Sequence, residues 1–280
     1  MSSTSTSTQI KASVLHGPKD LKIVCSSHLI PRTSIPLTCL QETRSLPPPS
    51  SNELQIAVRA TGLCGSDLHY YTHGRNGDFV VREPLSLGHE SAGIVTAVGS
   101  SVSQFSVGDH VALEVGIPCG SCARCTEKRY NLCKEMRFRS SAKSFPHFQG
   151  TLQTRVNQKA EWCYKLPSNV SLEVGALLEP TGVALHAVRR ALLPQGATVL
   201  VFGAGAVGLL CAAVAKMRGA ACVVIADIDE GRVNFAVENR FADRAFVVPM
   251  KRASTTEEGL ELQRRRPRRL VRSRGKMARA

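Results

Sequence analysis

Hydrophobic positions along the chain follow two different periods. Between about residues 53 and 115, apolar and polar residues alternate in Gly-punctuated runs: ELQIAVRATG, ESAGIVTAVGS and GDHVALEVG. Alternation with period two turns every second side chain to one face of a strand, so this region predicts an antiparallel or barrel-like β domain. After residue 196 the pattern changes. GATVLVFGAGAVGLLCAAVAKMRGAACVVIADIDEGRVNFAVEN reads strand, Gly turn, helix, strand, acidic turn, helix. That succession opens a parallel α/β sheet. Between the two regions, VSLEVGALLEPTGVALHAVRRA predicts a connecting helix, and no internal repeat is present.

Two segments fit neither period. Residues 24–41, VCSSHLIPRTSIPLTCLQ, interrupt a strand and precede a Pro-rich link, ETRSLPPPSSNE; residues 253–280 lose apolar periodicity altogether. Residues 1–10 read as a disordered polar tail with no apolar signal core.

Composition adds that 280 residues, 43% of them hydrophobic, suffice for two domains with proper cores. No run of about 18 apolar residues occurs, so no membrane span is expected. A cytoplasmic protein follows as the expectation, its ten cysteines thiols rather than disulfides. Of the net charge of +14, residues 251–280 supply +8, with 11 Lys/Arg against 3 Asp/Glu. The stretch RRRPRRLVRSRGKMARA could be a nucleic-acid arm. Its loss of apolar pattern reads instead as a frameshift or mis-joined exon.

Three constellations carry chemistry. Cys119, Cys122, Cys125 and Cys133 form a C-x2-C-x2-C-x7-C run. Four thiolates with no open position describe a closed structural zinc site. The iron–sulfur alternative wants x3 and a Pro at the fourth cysteine. Next, Gly203-x-Gly205-x-x-Gly208 follows the apolar run TVLVF, and Asp227 stands 24 residues after Gly203 at the end of ACVVIAD. Glycines there permit a tight turn and close approach of a pyrophosphate, while the acid accepts from a ribose diol and repels a 2′-phosphate. NAD is favoured over NADP; a βα turn with no nucleotide is the alternative. Third, Cys64 and His89 are candidate zinc ligands, with Glu90 adding an oxygen and Asp67 placed to hold the far nitrogen of His89. A Cys and a His 25 residues apart can equally be simply buried. Glu179 lies among apolar residues and needs a partner, either a metal site or the helix it would cap.

GLCGSDLHYY, LGHESAGIV, the four-cysteine lobe, YKLPSNVSLEVGALLEP and VFGAGAVGLL together resemble the zinc-dependent medium-chain dehydrogenases, within them the sorbitol (L-iditol 2-) and fungal polyol dehydrogenase branch. The resemblance implies a GroES-like catalytic domain over 11–188 and a partial Rossmann domain over 189–252. It implies catalytic zinc on Cys64, His89 and Glu90, with Glu179 at the metal, Ser66 as proton relay and Tyr70 lining the polyol pocket. Gly203, Gly205, Val207, Gly208, Asp227 and Arg232 fall where the family binds NAD. The implied reaction oxidises a secondary alcohol of a small polyol to a ketose, in an enzyme that is a tetramer in this branch. Two departures weaken that inference. Removing residues 24–41 joins LKI to ETRSL, and Val24-Cys25 and Leu40-Gln41 can encode splice-site sequences, so the segment reads as a retained intron or else a surface loop. The text beyond residue 252 departs from the second half of a Rossmann sheet, which leaves a non-catalytic zinc-binding fragment as the rival reading.

Overall fold

The computed structural model describes residues 7–22, 42–250 and 256–257. The expectations for 24–41 and for the basic tail lie outside the described residues, apart from residues 256–257. Contacts divide the chain into two compact units at Glu179/Pro180.

The first unit is built on a five-stranded antiparallel sheet. Its strands are β1 (Glu53–Gly62), β2 (Glu90–Val98), β3 (His110–Leu113), β4 (Arg155–Lys159) and β5 (Cys163–Lys165), in the order β4-β1-β2-β3-β5. Ile56 sits opposite Val95 and Leu54 opposite Val98, so the apolar set of the central pair shares one face. Leu54, Ile56, Val95, Val111, Leu113 and Val156 form the core there. Two register shifts in β1 bend the central pair. A further strand, Thr8–Ala12, pairs antiparallel with Glu42–Leu46. It begins inside the stretch read as a polar tail: the Ser/Thr-rich text ends at an alternating TQIKA in which Ile10 and Ala12 are buried.

Helix α1 (Gly65–His73) starts where β1 ends. Cys64 is its N-cap, Asp67 accepts from the Cys64 N–H, and Gly74 closes it in a left-handed conformation with φ 65°. Helix α2 (Ala123–Thr126) belongs to the cysteine lobe, and α3 (Leu172–Ala176), capped by Ser171, packs on β1, β2 and β3. The unit ends in the first turn of α4 (Leu178–Arg190). The boundary therefore falls nine residues before the expected 188/189, because Ala184 and Val188 already belong to the second core.

The second unit holds a parallel sheet, β6 (Thr198–Phe202), β7 (Cys222–Asp227) and β8 (Arg244–Val247), in that order. Helices α5 (Ala206–Met217) and α6 (Glu230–Glu238) make the crossovers. Ala212, Val223, Ile225, Val233 and Ala236 are sealed between them. The run TVLVF reads as a continuous apolar strand. Here Thr198, Leu200 and Phe202 are exposed, and among the described residues β6 pairs only with β7. No helix of the described residues is long and apolar enough to cross a membrane.

Candidate active site and metal centres

The turn from β1 into α1 delivers Cys64, and the start of β2 delivers His89 and Glu90. Gly62 pairs with Glu90 across the two strands. A Cβ on Gly62 would stand 2.2 Å from Glu90 Oε2, so only glycine leaves the carboxylate its place. One donor atom from each of Cys64, His89 and Glu90 lies within 4.8 Å of the other two. His89 is buried with its ring edge-on to Phe138 at 5.4 Å, and its Nδ1 has no hydrogen-bond partner among the described residues. That nitrogen faces Asp67 Oδ1 at 3.7 Å. Asp67, also buried, accepts from Cys64 N (3.0 Å), Gly88 N (3.1 Å) and Ser140 Oγ (2.8 Å).

The groups of this cluster shift one another's titration. A hydrogen bond from His89, joined by Ser66, holds the Cys64 thiol below its ordinary pKa. Burial alone would lower His89, but the Cys64 bond and the Asp67 charge outweigh it and raise it. Burial pushes Glu90 up, as it does Glu179, whose carboxyl is further opposed by Glu90. A thiol, an imidazole and two carboxyls crowd this half-buried site, and one sulfur, one nitrogen and one oxygen suit zinc. The residues fit the ion. Glu179 lies in the first turn of α4, within electrostatic reach of His89 and Glu90 but outside the three-donor group.

Tyr70 is placed otherwise than expected. It is 2% exposed, packs with Leu15, Leu85 and Leu87, and its hydroxyl accepts from Ala142 N at 3.1 Å. It is a core residue here rather than a pocket wall, because it lies on the inner face of α1 together with Asp67.

The cysteine lobe comes together as its spacing predicts. Sγ separations are 3.6 Å for Cys122–Cys125, 3.6 Å for Cys119–Cys133 and 3.9 Å for Cys119–Cys125. Tetrahedral zinc–sulfur bonds of about 2.3 Å place sulfurs about 3.8 Å apart, so the set fits zinc. Backbone N–H groups of Ser121 and Cys122 pull Cys119 down to about 6, while burial and the neighbouring thiols push Cys125 up to about 12. Four sulfurs this close cannot all ionise without a positive ion between them. Glu114 ties the lobe to the sheet, accepting from Tyr130 Oη and Tyr164 Oη, each at 2.8 Å.

In the second unit, Gly203 turns the chain with φ 94° and Gly205 is the N-cap of α5 without a side-chain cap. Nothing lies within 4 Å of where a Cβ on either would be, which leaves the first amides of α5 open to an anion. Gly208 is different: a Cβ there would meet Gly203 O at 1.8 Å. Asp227, at the end of β7, accepts from Ala204 N (2.6 Å) and Asp229 N (2.9 Å), and these N–H groups hold its carboxyl below the usual range. Val207 is exposed in the first turn of α5, and Arg232 stands in the first turn of α6, its charge felt by Asp227. These residues fit a dinucleotide.

Residues 50–168 match the alcohol dehydrogenase GroES-like domain. The chain carries this domain and is similar to zinc-dependent medium-chain dehydrogenases. Like it is the protein named "Probable D-xylulose reductase A" of Emericella nidulans, 50% identical over 206 residues, which are 74% of this chain and 56% of the relative. Among solved structures, L-idonate 5-dehydrogenase from Escherichia coli K-12 superposes with a TM-score of 0.76 at 29% identity, over 88% of this chain and 65% of that one. An E. coli CFT073 protein described as a short chain alcohol dehydrogenase complexed with NADH gives 0.72 at 26% identity, over 91% and 66%. The chain thus spans about half the length of the curated relatives it matches. At these sites the sequence reading missed Gly62, Gly88 and Ser140. Only Gly62 carried a signal, as a glycine ending a strand beside a candidate ligand.

Proposed function

We propose that the chain carries the zinc and NAD sites of a polyol dehydrogenase that oxidises a secondary alcohol of a xylitol-type substrate to a ketose. The observation that carries the proposal is the convergence of Cys64, His89 and Glu90, with Asp67 behind His89. Zinc held by those three residues would acidify the substrate hydroxyl, and NAD would accept the hydride. The chain's own residues do the rest. Asp67 orients His89 and anchors the Cys64 backbone. Ser66, whose hydroxyl hydrogen-bonds Cys64 Sγ, stands at the site to take up the proton leaving the alcohol. Asp227 offers oxygens to the adenosine ribose and favours NAD over NADP. Glu179, half-buried beside Glu90, keeps a second carboxyl at the metal.

A second reading is a zinc-binding fragment without turnover, favoured by the half-length match and by the edge of β6 that carries no strand among the described residues. NADH formation followed with xylitol and sorbitol separates the two. Turnover with NAD, abolished by Cys64→Ser, supports the dehydrogenase; two bound zinc ions without turnover supports the fragment. Light scattering on the same sample tests the tetramer expected of this branch.

A further inference from the structure

Ser140 is an unusual residue for its backbone. It sits at φ 62° in the turn Phe138–Ser141, where Ser141 N donates to Phe138 O at 3.2 Å. Glycine fills such a position without strain. The turn is fixed on every side. Arg139 N donates to Val115 O (3.1 Å) and Ser140 N to Phe148 O (2.9 Å). The buried Arg139 guanidinium lies over the Phe148 ring at 4.5 Å and donates to Gln158 Oε1 (2.9 Å), Gln149 O (2.9 Å) and Asn157 O. What this rigid turn delivers inward is one hydroxyl, 3% exposed as a residue, 2.8 Å from Asp67 Oδ1.

Resting on the zinc reading above, we propose that Ser140 is a positioning residue for the metal centre, fixing through its Oγ the Asp67 carboxylate that faces His89 Nδ1. Oδ1 is the oxygen nearest that nitrogen, and it takes both the Ser140 hydroxyl and Gly88 N, one residue before His89. Oδ2 holds Cys64 N. Without the hydroxyl, Oδ1 keeps a single donor and is free to turn from the ring, so the imidazole loses the orientation a metal needs. Loss of such an outer partner weakens metal binding on the order of 10–100-fold.

Two variants of the full chain separate positioning from turn structure. Ser140→Gly relieves the backbone and removes the hydroxyl; Ser140→Thr keeps the hydroxyl and strains the backbone. Zinc dissociation constants from competition with a chromogenic chelator, read beside thermal midpoints, give the result. Ser140→Gly is expected to hold its midpoint and weaken zinc about tenfold or more at the Cys64 centre, with the cysteine lobe unchanged as an internal control. Ser140→Thr is expected to melt lower and keep wild-type affinity. Unchanged affinity in folded Ser140→Gly, or an equal loss at both metal sites, overturns the proposal alone. A wild-type chain that takes up zinc only in the lobe overturns the zinc reading, and the proposal with it.

Discussion

The three glycines of the dinucleotide turn share a motif yet face different surroundings, and alanine at two of them should act through different routes. At Gly208 a Cβ would stand 1.8 Å from Gly203 O, 2.9 Å from Gly203 C and 3.7 Å from Val201 Cγ1. Ordinary contact begins near 3.4 Å, so α5 must retreat from β6 by roughly 1.6 Å. The obstacle is backbone and cannot rotate away. Overpacking of this kind costs about 1–3 kcal/mol, worth about 2–4 °C per kcal/mol in a chain of this size. Gly205, with φ −78° and nothing within 4 Å, can take a Cβ without steric conflict. Its substitution narrows only the approach to the α5 amides. Thermal unfolding and NADH fluorescence titration read the two effects separately. Gly208→Ala should lower the midpoint by several degrees and weaken NADH; Gly205→Ala should keep the midpoint and weaken NADH alone. An unchanged midpoint for Gly208→Ala would refute the steric reasoning, and unchanged NADH affinity for Gly205→Ala would remove the dinucleotide from this turn.

Gly62→Ala, whose Cβ would lie 2.2 Å from Glu90 Oε2, should displace that carboxylate and reduce retained zinc from two ions per chain toward one after dialysis; undiminished zinc would take Glu90 out of the ligand set. Tyr70→Phe removes the acceptor of Ala142 N in a buried site, so urea unfolding should show a loss of about 1–3 kcal/mol, and no measurable loss would contradict the buried placement of the hydroxyl. Acid should destabilise the second unit. Asp227 is held below its ordinary 3.8 by Ala204 N–H and Asp229 N–H, and at Asp243 the opposing effect of burial is outweighed by Lys216 and Val223 N–H. Each such contribution is complete above 3.8 and lost as pH falls through the lowered folded value. Urea midpoints measured from pH 5 to pH 2 should therefore drop, less steeply in Asp243→Asn; an identical slope would discard that carboxylate as a source.

Local text made much of this legible. The four cysteines lie within fifteen residues, and Gly203 to Asp227 is one βαβ passage, so their geometry is nearly contained in their spacing. Asp67 behind His89 was also readable, three residues after the candidate ligand Cys64. What stayed hidden came from distance and from neighbours. Ser140 reaches Asp67 across 73 residues from a turn with no periodic signal. Tyr70 reads as polar and functional until the packing of α1 shows which face it occupies. The run TVLVF says that β6 is apolar but not whether both its faces are covered, and Leu200 at 54% exposure and Phe202 at 76% show that one is not. Thr8–Ala12 pairs with a segment on the far side of residues 24–41, a partner no local pattern names.

The two metal centres differ in how much of the chain must exist before each can form. The lobe closes on itself between Cys119 and Cys133, and Tyr130 and Trp162 rings 5.0 Å apart join it to the rest only later in the chain. The Cys64 centre is stapled by an Asp67 that waits for Gly88, 21 residues on, and for Ser140, 73 residues on. Closing the short loop costs less chain entropy than gathering three remote segments. A chain emerging in sequence order could therefore capture its first zinc as soon as Cys133 appears, while the Asp67 support of the Cys64 centre is complete only once the turn at Ser140 docks. Zinc stoichiometry during refolding thus becomes a clock: one ion marks a local knot, and a firmly held second marks a docked Ser140 turn.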